Sequence, residues 1–218
     1  MEASATHREA PGGGAGTASA PLSGWKPADP GPLGLGAFAM TTFVLSMFNS
    51  NLLDVKGLPV VLGLALAYGG IVQLLAGMWE FRTGNTFGAV AFSSFGAFWI
   101  SFWALNAFYA KQIGGNAGHA VGIYLIAWAI FTAYMTIAAL RTSGAVLLVF
   151  ALLTVTFILL GIGASGAHET VTHWGGYLGL ATAAAAWYAS FAAVTNSTFG
   201  RTVLPVIPLA PKVRADRV

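Results

Sequence analysis

Six stretches of about 20 residues, none with a charged residue at its centre, constrain this chain more than any other feature. They run approximately over Leu33–Leu53, Leu58–Met78, Ala89–Tyr109, Val121–Leu140, Ala145–Ile162 and Trp174–Val194. A hydrocarbon core of roughly 30 Å is crossed by about 20 helical residues at ~1.5 Å each, so every stretch is long enough to span. Charge, Gly or Pro interrupts the chain between them: Asp54, Lys56, Gly57 and Pro59; Glu80, Arg82 and Gly84; Lys111, Gly114 and Gly115; Arg141 and Gly144; Gly163, Gly166 and Glu169. The fourth break is so short that spans four and five must lie side by side and antiparallel. Only 8% of the residues are charged, against about 25% in a soluble domain, so most of the surface must face lipid. The predicted class is an all-α integral membrane protein, six transmembrane helices in a compact bundle with a pore through each protomer.

An even number of spans places both termini on one side of the bilayer. That side carries Arg8, Lys26, Arg82, Arg141, Arg201, Lys212, Arg214 and Arg217, whereas the other carries Lys56 and Lys111. This bias predicts cytoplasmic termini in a multi-pass cell-membrane protein. It also explains the net charge of +3 without a nucleic-acid partner. Residues 1–28 are rich in Gly, Ala, Ser, Thr and Pro, with no apolar core for a cleaved signal, and are expected to form a disordered cytoplasmic tail. Residues 29–200 form the expected six-helix domain and 201–218 a second cytoplasmic tail. Cysteine is absent, which removes thiol chemistry and cysteine metal sites.

The polar residues inside the spans are neutral. Pumps commonly hold an ionisable relay at mid-membrane, and catalysis on a polar substrate commonly needs an acid or base there; the centres of these spans offer neither. No enzymatic role, cofactor or metal is therefore expected. Thr41, Thr42, Asn49, Gln73, Ser94 and Thr154 are the candidate lining of a narrow neutral pathway. Any one Ser or Thr more often bonds the carbonyl four residues back or bridges helices. His119, His168 and His173 fall in connections opposite the termini and form no convincing ligand set. Gly175 with Gly179, and Gly84 with Gly88, have the small-xxx-small spacing that permits close helix packing in lipid. In "DPGPLGLGAF", Asp29–Phe38, Pro32 suits a first helical turn and Asp29 could cap it.

The same segments carry a resemblance. "DPGPLGLGAFAMTTF" resembles the N-P-A-P-L-G-L-x-x-F signature of the acetate/succinate transporter family, the YaaH-type succinate–acetate permeases or acetate uptake transporters. "GMWEFRTGNTFGAVAFSSFGAFW" is similar to that family's second signature and "FGRTVLP" to a third. The matching positions include Asp29, Pro30, Pro32, Gly34, Glu80, Gly84, Asn85 and Thr86. The resemblance implies membrane transport of acetate and related monocarboxylates, and of succinate, by an anion channel or proton symport. It further implies a homo-oligomer, a hexamer of six-helix protomers in the lipid bilayer, each protomer narrowing at a Phe, Leu and Tyr ring. Those positions correspond to Phe38, Leu153 and Phe95. Two departures stand out: Asp29 replaces an Asn, and Phe95 replaces the Tyr. Glu80 and Arg82 are expected to close span two at the membrane surface, with Asn85 and Thr86 capping span three. A channel for water, ammonium or another small neutral solute, and a non-transporting scaffold, are the alternatives.

Overall fold

The computed structural model describes residues 25, 27–166 and 168–209. The expected tail 1–28 therefore lies, apart from Trp25, Pro27 and Ala28, outside the described residues. Six helices are long and apolar enough to cross a membrane: α1 (Gly31–Asn49), α2 (Val55–Thr83), α3 (Thr86–Gln112), α4 (Gly114–Ala139), α5 (Gly144–Gly166) and α6 (Glu169–Phe199). The only pairing of extended backbone among the described residues is an isolated bridge between Ser143 and Pro208. The predicted fold class is thus the observed one, with helices that outrun the expected spans at several ends. The longest, α6, has 31 residues, about 46 Å at ~1.5 Å each, so it projects beyond the hydrocarbon.

Around the bundle, α2 packs on α3, α1 on α2 and α6, and α5 between α4 and α6. The adjacency of α4 and α5 is the one their short connection requires. Missing side chains allow the closest approaches. A Cβ on Gly96 would lie 2.6 Å from the Leu74 amide nitrogen, and Gly77 abuts the backbone of Ser93, so α2 and α3 touch main chain to main chain. Gly176 does the same for α6 against Asn49 and Ser50 at the end of α1, whereas Gly179 abuts the Ser46 side chain of α1 and Gly175 faces Leu160 of α5. The expected Gly175–Gly179 pair thus serves two different neighbours. Gly84 and Gly88 are not a packing pair either. Gly84 ends α2 in the left-handed region at φ 80°, where a side chain would be strained.

Hydroxyls inside the spans follow the local rule. Thr41, Thr132, Thr154, Thr156 and Thr182 each donate to the carbonyl four residues back. Bridges between helices accompany them, including Thr136 to Thr154 at 3.0 Å and Ser190 Oγ to the Pro32 carbonyl at 2.7 Å. Two single π-turns, Ala67–Val72 in α2 and Leu105–Tyr109 in α3, interrupt regular winding.

Residues 201–209, placed in the expected tail, instead strap the end of the bundle. Asn196 Oδ1 accepts the amides of Val203 and Leu204 at 2.7 and 2.9 Å, and its Nδ2 donates to the Leu204 carbonyl at 2.8 Å. The carbonyls of Ile207 and Val206 then accept the amides of Gly144 and Ala145 at 2.7 and 3.3 Å. The strap thereby satisfies backbone donors at the start of α5 that have no partner within the helix.

A two-chambered site with an apolar neck

Both signature stretches near the chain's start build one end of the bundle. Pro32 lies in the first turn of α1, and Asp29 Oδ1 accepts the Gly31 amide at 2.8 Å. Asn85 caps α3, its Oδ1 accepting the Gly88 amide at 3.1 Å, as its position after the Gly84 turn led us to expect. Glu80 departs from expectation. It is not a hydrated surface charge but only 2% exposed. Its Oε2 accepts the Thr83 hydroxyl at 3.0 Å, and the Asn85 side chain also hydrogen-bonds it. Gly31 and Gly88 make the space: a Cβ on Gly88 would lie 2.6 Å from Glu80 Oε1. Arg82 points elsewhere, its guanidinium 5.8 Å from the Trp25 ring centroid, within range of a cation–π contact.

Asp29, Glu80, Asn85 and Gly88 line a cavity of about 350 Å³ on the side of the termini. On the far side a second cavity of about 280 Å³ is lined by Thr42, Ser46, Asn49, Asn106, Tyr124 and Thr156, with aromatic rings between them. It shares Asn49, Leu58, Ala164 and Thr172 with an outer bowl of about 460 Å³ whose rim includes Glu169 and His173. His173 therefore stands at the far mouth.

Between the chambers lies a neck of only about 10 Å³. It shares Leu35, Ala91, Phe92 and Phe150 with the termini-side chamber, and Phe38 and Leu153 with the far-side one. Phe95 completes its wall. The three residues that the resemblance singled out are thus gathered around one axis. Each is at most 4% exposed, and the Phe38 and Phe95 ring centroids are 5.7 Å apart. Phe95 also contacts the rings of Trp128, Phe131, Phe150 and Phe157, so the narrow point is braced from behind.

The six candidate pathway residues divide. Thr42 and Asn49 line the far-side chamber, and Gln73 lines the neck. Thr41 packs on Gly69, and Thr154 bonds Thr136; neither borders a chamber. Ser94 borders none of the cavities described here. The threonine on the chamber is Thr156, two residues on from Thr154.

Among the described residues, four buried side-chain atoms have no hydrogen-bond partner: Thr42 Oγ1, Gln73 Oε1, Ser93 Oγ and Trp99 Nε1. Buried polar atoms are rarely left unpaired, so each demands an explanation. Three of the four belong to residues that line the route, where a passing solute could satisfy them. Trp99 was absent from the sequence-based candidates, although it lies one helical turn beyond Phe95 and hence on the same face.

Known proteins share this fold. A solved chain described as the structure of the bacterial acetate channel SatP superposes with a TM-score of 0.77 at 39% identity, covering 83% of this chain and 99% of that one. The succinate-acetate/proton symporter SatP of Escherichia coli K12 is 39% identical over 184 residues, 83% of this chain and 96% of its own length. Acetate permease A of Emericella nidulans is 41% identical over 208 residues, 87% of this chain and 70% of its own. Residues 12–211 match the GPR1/FUN34/yaaH family, and the chain belongs to that family.

Proposed function

We propose that this protein carries acetate and related small carboxylates across a membrane, through the two chambers and the neck between them. The observation that carries the reading is the coincidence of Phe38, Phe95 and Leu153 at the narrow point between the two chambers. A carboxylate is costly to bring into hydrocarbon, so a protein route is needed for it. Neutral donors on the far side suit a small acid. The Trp99 indole N–H can only donate and the Thr42 hydroxyl can do either, which matches the acceptors of a carboxyl group. The apolar neck excludes water and thereby gates.

The excess of Lys and Arg on the side of the termini supports cytoplasmic termini, and the family resemblance supports a hexamer in the cell membrane. Apolar side chains facing outward, such as Ile123, Ile130 and Ile137 along α4, supply a surface for lipid or for a neighbouring protomer. The decisive measurement is uptake of labelled acetate into proteoliposomes holding the purified chain, with competition by propionate, succinate and glycerol. Carboxylates should compete and glycerol should not; uptake no greater than in protein-free vesicles rejects the proposal.

A further inference from the structure

We propose that a slot between α3 and α4, beside the far-side chamber, is an alkyl-tail site: it holds the chain of a medium-length, straight-chain monocarboxylic acid whose carboxyl group lies in that chamber. The inference rests on the transport reading for the carboxyl end and adds a site outside the route itself.

The seam between these helices shows why the slot exists. The main chains of α3 and α4 pack far less closely than those of α2 and α3 or of α4 and α5, and aromatic rings fill the gap. From α4, Phe131, Trp128 and Tyr124 reach across on successive turns to Phe95 and Phe98 of α3. The next turn of α4 toward the far side brings Ala120 to that face. The row of rings stops there, and an opening of about 330 Å³ remains, walled by Ala104 and Leu105 of α3 and by Ala120 and Val121 of α4. Among the described residues no charged one lines it. The Ser101 and Tyr124 hydroxyls on its wall bond each other at 2.7 Å, and Ser101 Oγ donates to the Phe98 carbonyl at 2.8 Å. Polar partners there are already taken, so the slot suits an apolar occupant.

Continuity with the chamber identifies that occupant. Leu105, Val121 and Tyr124 are walls of both cavities, which meet at the Tyr124 ring. On the chamber side lie Thr42 Oγ1 and Trp99 Nε1, buried and unpartnered, where a carboxyl group can satisfy them. A molecule with one acidic head and one alkyl tail fits both halves. Acetate has no chain to bury, and succinate would bring a second carboxylate into an apolar wall. Along α3, Trp99 and Leu105 are six residues apart, about 9 Å at ~1.5 Å each. About seven C–C bonds of ~1.5 Å in an extended zigzag cover that distance, which is the length of octanoate. Leu105 and Tyr109 of the slot wall bound the π-turn of α3, a distortion that recurs at functional sites. Seated in this way, the acid occupies the acetate route without entering the neck, and acts as a competitive inhibitor.

The test uses the full chain in proteoliposomes and measures inhibition of labelled acetate uptake by butyrate, hexanoate and octanoate, with protein-free vesicles as background. Half-burial of a methylene gives about twofold in affinity, so octanoate should inhibit roughly fifteenfold more strongly than butyrate, or better. Ala120→Phe continues the row of rings into the slot, and Ala104→Phe fills it from the facing wall; neither residue borders the chamber. Each should bring octanoate to within about threefold of butyrate while acetate uptake stays near the wild-type rate. Octanoate with a terminal diazirine adds a readout that does not need transport. On illumination it should label residues 104–124 of the wild type, unlabelled octanoate should compete, and labelling should drop in both variants. Equal inhibition by all three acids in the wild type overturns the proposal and means that a lipid chain or a neighbouring protomer fills the slot. So does a chain-length series unchanged in either variant that still elutes as wild type, because the trend then reflects partition into the bilayer. If neither variant assembles, a label that falls outside residues 104–124 of the wild type overturns it. Absence of acetate uptake by the wild type would instead remove the transport reading, and the diazirine label would still decide the tail site.

Discussion

The two chambers are built from different parts of the chain. The polar part of the termini-side chamber comes from element ends: the residues opening α1, the last turn of α2, the cap of α3 and the α4–α5 turn, with Val206 of the strap beside them. The far-side chamber is made of side chains spaced along helices, from Thr42 and Ser46 on α1 to Trp99 on α3 and Thr156 on α5. Helix ends need caps, turns and satisfied amides, so the first chamber depends on short stretches of particular residues, "DPGP" and "EFRTGN". Mid-helix lining needs only one side chain per turn, and it leaves no compact motif. The first chamber also carries two carboxyl groups, Asp29 and Glu80, whereas Thr42, Trp99 and Thr156 give the second a neutral lining.

The largest test of this division is to remove it. Leu153→Ala deletes three carbons from the neck wall that both chambers share. The expected result is faster acetate uptake, together with uptake of bulkier acids such as succinate, by at least about tenfold if the barrier falls by ~1.4 kcal/mol. Phe38→Ala should act in the same direction. Unchanged rates and unchanged competition profiles in both variants, with the protein still eluting as wild type, would mean that these residues only pack and that the chambers communicate elsewhere.

Much of the architecture was legible in the sequence, and what was not has identifiable causes. Length and hydropathy gave six spans, and the neutral centres of those spans foretold a lining of hydroxyls and amides. The burial of Glu80 was not legible, because a Glu at the end of a span normally reaches water; the Cβ-free surfaces of Gly31 and Gly88 draw it inward. Thr154 was favoured where Thr156 borders the chamber, since two residues on a helix differ by about 200° and hydropathy does not say which face is inward. Across a π-turn regular periodicity slips as well, so faces before Ala67 and after Val72 cannot be aligned by a 3.6-residue count. Phe38, Phe95 and Leu153 were identifiable through resemblance alone, because three apolar residues in apolar helices carry no distinguishing signal.

A smaller effect is expected where the far-side chamber offers its donor. Trp99 is almost wholly buried and its indole nitrogen lacks a partner. Trp99→Phe preserves an aromatic ring but removes the N–H. One hydrogen bond contributes about 0.5–1.5 kcal/mol net, so the KM for acetate should rise by roughly two- to twelvefold with little change in kcat. The comparison predicts a separation of roles: the far-side chamber sets affinity, and the neck sets the barrier to passage. A lowered kcat at unchanged KM in Trp99→Phe would merge the two roles.

The smallest expected change is at the strap. Asn196→Ala removes three hydrogen bonds that hold Val203 and Leu204, and with them the approach of Val206 to the wall of the termini-side chamber. These bonds lie at the surface, so the loss in stability should be about 1 kcal/mol. Acetate uptake should then change by less than about threefold, whereas the amides of Val203, Leu204, Gly144 and Ala145 should exchange hydrogen faster. The far-side chamber shares no wall with the strap, so amide exchange in the middle of α1 should stay at its wild-type rate. If the α1 amides loosened as well, the strap would be holding the bundle as a whole, and the two ends of the route could not be treated as separately built.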